Sequence, residues 1–300
     1  MSKNMYAIIA VLISAFFWST AGAVTKILLV HFEPFSLAFL RFFIASIILL
    51  PLFLKNQRSL LTNITPTLIL TLVFGAGNII FFYYGIVHTT ANTSVVLYAS
   101  VPILVTLISI FFLHERYSNI NILGVIIGFI GVLSMLMMSF IEQSSAFGTI
   151  NGNILILIAV ICWSLYSISS RYVTKNGINA SGLATLSIFS NCAVFFVLMI
   201  LSGQYYSMQS IFQPSLFFLV GYLAIFVSIV TFFLYQWTIK NTSAVFASLV
   251  LYLQPLFAFI VDAIVLNETI TFRFIGSGML IFIGLFFVTK KKNNAKVYNS

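Results

Sequence analysis

Charge is what this sequence has least of. Only 6% of its 300 residues are Asp, Glu, Lys or Arg, where a water-soluble domain carries about 25%. So few charges cannot clothe a soluble surface of this length. Hydrophobic residues make up 61% of the chain, and the excess must therefore face lipid. Cysteine is also scarce. Cys162 and Cys192 both fall inside apolar runs without metal-ligand spacing, as small buried hydrophobes do. Long polar linkers are missing, which leaves no room for a soluble domain. Catalytic patterns are missing too: there is no phosphate-binding glycine loop, no HExxH and no Ser/His/Asp grouping. His31, His88 and His114 sit at different loop ends, which argues against a membrane-embedded enzyme. Without a nucleotide site, ATP is not the direct energy source, and no cofactor is expected.

What is present is a series of long apolar runs. A membrane span needs about 20 predominantly apolar residues. Ten runs meet that need, roughly Met5–Val30, Phe35–Leu54, Pro66–Val87, Ser94–Leu113, Ile120–Phe140, Gly152–Thr174, Ser181–Ser202, Pro214–Ile239, Ser243–Leu266 and Thr271–Thr289. The first run carries Ala21-Gly22-Ala23, which looks like a cleavage site, but it is too long for a signal peptide and is read as a retained span. The expected fold is an all-α integral membrane protein of ten transmembrane helices.

The excess of base over acid, +9 in net charge, sits in short connections and in a tail bearing Lys290, Lys291, Lys292 and Lys296. That distribution orients a membrane protein; it is not a nucleic-acid patch. With both termini in the cytoplasm, Lys3, Lys55, Arg58, Arg116, Arg171, Lys175, Lys240 and the tail all lie inside, and Arg273 is left outside. The expected location is the plasma or inner membrane.

The strongest signal is self-similarity. Pro102 and Pro255 lie 153 residues apart, and so do Glu115 and Glu268. Phe17-Trp18-Ser19 in the first run answers Cys162-Trp163-Ser164 in the sixth, and Ala91 to Ser94 answers Ala244 to Ala247. Gly124 and Gly131 have counterparts in Gly276 and Gly284. Five spans is an odd number, so the second copy enters from the opposite side. The expectation is an inverted 5+5 repeat, residues 1–145 and 146–300, which places a binding site near the midplane between halves that rock.

These residues resemble a known family, the ten-span EamA-type permeases of the drug/metabolite transporter superfamily. The opening segment with Trp18-Ser19 and Lys26, the run Phe39-Leu40-Arg41-Phe42-Phe43-Ile44-Ala45, and Pro102 followed by His114-Glu115-Arg116 carry the likeness, as do Pro255 and Asn267-Glu268 in the second copy. The sequence departs from the family at His114 and Asn267, where a small residue is common, and Ser181–Ser202 has no arginine matching Arg41. The resemblance implies a basket-shaped bundle with a central cavity, and export or exchange of metabolites.

Helical faces supply the candidate site. Trp18 and Thr25 share a stripe on the first span with Ser14, and Trp163, Tyr166 and Ser170 share one on the sixth. Asn78 and Phe82 on the third answer Thr231 and Tyr235 on the eighth, and Tyr98, Tyr252 and Gln254 lie near the prolines. Aromatics with a few convergent polar groups suit a small organic solute. Pro102 and Pro255 are either gating kinks or static packing kinks. Asp262, deep in an apolar run, is either a coupling group partnered by Lys26 or Arg41 or an acid that reaches the outer interface. Arg41 snorkels to headgroups, joins a structural ion pair or binds an anion. Glu115 and Glu268 act at helix ends, and the glycines let helices approach within one chain or across a homodimer.

The function expected is secondary transport of a small organic metabolite by alternating access, with proton or counter-solute coupling. The alternatives are uptake or exchange of a nucleotide-derived metabolite such as S-adenosylmethionine, and a non-transporting sensor.

Overall fold

The computed structural model describes residues 3–62, 64–113, 118–142, 147–266 and 272–289, and no strand occurs among them. The chain begins with α1 (Lys3–Ser19), α2 (Ala21–Leu28), α3 (Pro34–Thr62), α4 (Pro66–His88), α5 (Ala91–Tyr98), α6 (Val101–Leu113) and α7 (Asn119–Glu142). It continues with α8 (Ile150–Lys175), α9 (Ala180–Leu201), α10 (Pro214–Tyr222), α11 (Thr231–Asn241), α12 (Ala244–Leu266) and α13 (Phe272–Thr289). A 3-10 turn covers Tyr206–Phe212, and a π-helical stretch, Leu223–Val230, joins α10 to α11. Among the described residues, eight segments are long and apolar enough to cross a membrane by length and composition.

Burial runs opposite to that of a soluble protein. Ile47, Leu70, Val73, Ile126, Ile130 and Phe286 are exposed, whereas Ser14, Arg41, Asn78, Ser167, Gln236 and Asp262 are buried. Apolar side chains outside and polar ones within suit lipid as the solvent.

Side-chain caps set several helix starts. Thr65 accepts from Leu68 N ahead of α4, with Pro66 at the first helical position. Thr90 accepts from Thr93 N ahead of α5, and Ser243 accepts from Phe246 N ahead of α12. These two caps lie 153 residues apart, the spacing of the proline pair. Gly203 ends α9 with φ +70°, a left-handed position that costs glycine little. The turn it makes lets Gln204 N bond the Met199 carbonyl at 3.0 Å.

Three apolar runs that read as continuous are interrupted. α1 gives way to α2 at Thr20, α5 to α6 at Ala99-Ser100, and the Pro214–Asn241 segment loosens at its π-helical stretch. Pro102 is therefore the second residue of α6, where its missing N–H costs little. Pro255 instead lies inside the unbroken α12. The two prolines share a spacing but not a local setting: Pro102 follows the distortion at Ala99-Ser100 within the apolar segment Ala91–Ile108, and Pro255 sits in continuous helix. Glu115 and Glu268 lie outside the described residues.

Helices pair closely where glycines remove side chains. α4 packs along α8, α7 along α13, and α3 along α9. A Cβ on Gly284 would sit 2.5 Å from the Gly128 Cα and 2.6 Å from the Gly124 carbonyl oxygen. A Cβ on Gly152 would sit 2.6 Å from the His88 carbonyl carbon. Gly128, Gly131 and Gly284 therefore serve contact within one chain, through α7 and α13, whereas a Cβ on Gly276 would meet nothing within 4 Å.

Candidate functional site

The interruptions meet around one cavity. Ala21 and Gly22 reach it from the α1–α2 break, and Ser94, Val95 and Tyr98 from the end of α5. Val227 reaches it from the π-helical stretch, with Phe232 just beyond. Trp18, Arg41, Asn78, Phe82, Trp163 and Gln254 complete the polar and aromatic wall. At each interruption the backbone stays in the right-handed helical region, and Val24 N still bonds the Thr20 carbonyl and Leu104 N the Ser100 carbonyl, so these are local distortions of single spans.

Two volumes describe this space. Counted up to the atom surfaces, and including its open mouth, it is about 580 Å³; counted as room for the centre of a water molecule, it is about 70 Å³. The second figure measures true vacancy. It admits several waters, but a metabolite needs side chains to move first.

An aromatic cluster forms the core of the site. The Trp18 and Trp163 rings lie 5.3 Å apart, edge to face. Trp163 also contacts Tyr166 at 4.9 Å, Tyr235 at 5.1 Å and Phe232 at 5.9 Å. Polar atoms behind the rings hold them in place. Gln236 Nε2 donates to Tyr166 Oη at 2.7 Å and to Ser170 Oγ at 3.1 Å. The hydroxyls of Ser167 and Tyr235 are 2.7 Å apart. Asn78 Nδ2 donates to Tyr98 Oη at 2.6 Å and to the Ala159 carbonyl at 2.9 Å. Trp163 Nε1 is buried with the Tyr235 hydroxyl as a weakly aligned partner, and Gln254 Oε1 is buried with no hydrogen-bond partner.

The π-helical stretch organises the charged end. Its Val227 carbonyl accepts from Trp18 Nε1 at 3.2 Å, from Arg41 Nη2 at 3.2 Å and from Thr231 Oγ1 at 2.7 Å. Arg41 Nε donates to Ser228 Oγ at 2.6 Å. Arg41 is only 3% exposed, so its guanidinium points inward, and the snorkelling reading is corrected. The reason is local: the π-helical stretch offers a hydroxyl and a carbonyl side by side, and these replace headgroup water.

Six of the residues expected from helical faces line the cavity: Trp18, Asn78, Phe82, Tyr98, Trp163 and Gln254. Tyr166, Ser170, Thr231 and Tyr235 stand behind that wall as supports, through the bonds given above. Thr25 is buried on α2, past the helix break that ends the Trp18 stripe, and is not among the lining residues. The side chain of Tyr252 lies outside the described residues. Asp262 is fully buried on α12, and Lys26 borders a separate hollow with His31, Glu33 and Ser207. Ser94, Val227 and Phe232 were not anticipated, although Ser94 and Phe232 lie near residues that were. Nothing in the residue types of Leu223–Val230 announces a π-helix.

That separate hollow contains a contact between loops. Ser207 Oγ donates a short hydrogen bond to Glu33 Oε2, and Ser36 Oγ donates to the same oxygen at 3.2 Å. Phe35 N donates to Gln204 Oε1 at 2.8 Å. The Ser207 bond, opposed by partial burial and helped by Ser36, holds the Glu33 carboxyl below its ordinary pKa. The charged form is therefore favoured by folding. The stabilisation is complete above the ordinary carboxylate pKa and is lost as pH falls through the lower folded value. Melting in detergent across pH 6 to 3 should show an acid loss that Glu33→Gln lacks; identical profiles would mean that this contact contributes nothing.

A bundle of apolar-faced helices around a central aromatic cavity is a form that suits a multi-pass membrane transporter. The EamA-like transporter family model matches residues 5–137 and 150–290. The chain belongs to that family. An uncharacterized transporter of Bacillus subtilis strain 168, YetK, is 25% identical over 99% of this chain and 90% of its own length. One from Clostridium kluyveri is 26% identical over 96% of this chain and 95% of its own. The uncharacterized inner membrane transporter YedA of Escherichia coli K12 is 26% identical over 88% of this chain and 85% of its own. A solved crystal structure shares the fold, with a TM-score of 0.67 at 18% identity over 96% of this chain and 97% of the other.

Proposed function

We propose that this transporter moves a small organic metabolite across the cell membrane by alternating access, with export or exchange as its direction. The observation that carries the proposal is the aromatic and amide-lined cavity, built from α1, α2, α3, α4, α5, α8, α11 and α12 together with the π-helical stretch. In this reading α7 and α13 join the eight long apolar segments to give ten spans, arranged as inverted repeats over 1–145 and 146–300.

Packing supports the repeat. α3 lies against α9 and α7 against α13, so each of these helices meets its own counterpart. α1 contacts α11 and α12, while its counterpart α8 contacts α4 and α6. Exchanging the two halves returns the same set of contacts, as a twofold relation requires. Both termini face the cytoplasm, in keeping with the basic loops.

The solute binds among the rings when side chains part, and the halves then rock to expose it on the other side. The Glu33–Ser207 contact joins loops of different halves and belongs to the outwardly closed form. The driving force is the solute gradient, a counter-solute or protons, with Asp262 and Lys26 as the coupling groups.

Counterflow in proteoliposomes tests this. Vesicles preloaded with an unlabelled compound should transiently accumulate the labelled one, across a panel of amino acids, organic acids and cationic dyes. At least one class should show saturable counterflow. Non-saturable leak of every compound, or none at all from correctly inserted protein, contradicts a carrier.

A further inference from the structure

Arg41 has more hydrogen-bonding capacity than the protein uses. A guanidinium carries five N–H donors. Two are engaged, Nε by Ser228 and one on Nη2 by Val227. Both acceptors are neutral. Among the described residues no carboxylate forms an ion pair with Arg41. A further contact is the Phe42 ring, whose centroid lies 5.1 Å from Cζ, a modest cation–π partner. A buried cation held only by neutral groups is expensive in a membrane interior and marks a pathway or a ligand.

The cavity wall repeats the message. Arg41 is the charged residue among its lining, so a full positive charge with unused N–H groups borders this space. The rest of the wall is the rings of Trp18, Phe82 and Phe232 with Ile79, Val95 and Leu251. Gln254 supplies one unsatisfied amide oxygen.

We propose that the transported solute is an organic carboxylate with a flat or apolar body. Its carboxylate is held by Arg41, and its body lies among the rings. A planar guanidinium matches a carboxylate with two parallel bonds, as an ammonium cannot. Cationic solutes are rejected by like charge, so this site is not that of a cationic-drug exporter. The assignment rests on the carrier reading above and narrows it to one ligand chemistry.

The test uses full-length protein in detergent and matched probe pairs: indole-3-acetate with indole-3-acetamide, and phenylacetate with phenylacetamide. The members of each pair share a shape and differ in charge. Thermal shifts should show the carboxylates binding about 10- to 100-fold more tightly than their amides. Arg41→Gln should abolish that preference and Arg41→Lys should keep part of it. The comparison within the parent protein stands whether or not either variant folds. Equal binding of acid and amide, or no shift with either in a protein that melts cooperatively, overturns the proposal. Counterflow of the same probes separates the two claims. Transport of amide and acid alike sinks the anion site and leaves the carrier. Acid-selective binding that needs Arg41, without counterflow of any compound, keeps the site and sinks the carrier.

Discussion

Trp163→Ala should abolish saturable transport, with a loss of at least about 100-fold, while Trp163→Phe stays within about tenfold of the parent. Trp163 is the hub of the aromatic cluster, with four rings within 6 Å of its own. Each aromatic pair contributes about 0.5–1.5 kcal/mol beyond its buried area. Losing two or three such contacts in the ligand-bound state accounts for about 2.7 kcal/mol, which is the 100-fold. Removing an indole from a packed site also costs about 3–5 kcal/mol of stability. The assay must therefore be scaled to folded protein, by size-exclusion profile and a cooperative melt. A folded Trp163→Ala protein with unchanged counterflow would place the solute elsewhere.

Gly284→Ala should destabilise the fold by about 3 kcal/mol, the upper end of what overpacking costs. The added methyl meets the backbone of Gly128 and Gly124, which cannot rotate away as a side chain would. α7 and α13 would have to part by roughly an ångström and give up close packing along their length. Gly276 is the control on the same helix. A Cβ there meets nothing within 4 Å, so Gly276→Ala should leave the melting temperature unchanged or slightly raised, because alanine is the better helix former. Equal losses in both variants would remove the close approach as the reason for glycine on this helix.

Much of this architecture was legible in advance, because lipid imposes a coarse rule. A span must be long and apolar, so the runs beginning at Pro66, Gly152 and Ser181 correspond to α4, α8 and α9 within a few residues. The Trp18 and Trp163 pair was legible because each sits in the same local sequence in its half. The interruptions were not. An apolar window averages over the single residue at which α1 becomes α2, and Thr20 carries no proline or glycine signal of its own. The π-helical stretch is made of ordinary apolar residues and one serine. The direction of Arg41 was hidden for the same reason, since its acceptors lie 186 and 187 residues away on that stretch. Gly85 and Gly152 lack the obvious spacing of Gly124, Gly128 and Gly131, yet they bring α4 onto α8.

The glycine contacts and the cavity belong to one physical scheme. Each close crossing joins one helix from each half, so in the proposed rocking these crossings act as pivots and the cavity lies between the parts that move.

Side-dependent cysteine labelling tests the central claim most directly. With Cys162 and Cys192 replaced by alanine, a single cysteine at Ser94 on the cavity wall is exposed in turn to a membrane-impermeant thiol reagent from each face of the membrane. Alternating access predicts reaction from both faces, slowed by a transported solute. Reaction from one face only, unaffected by solute, would contradict it.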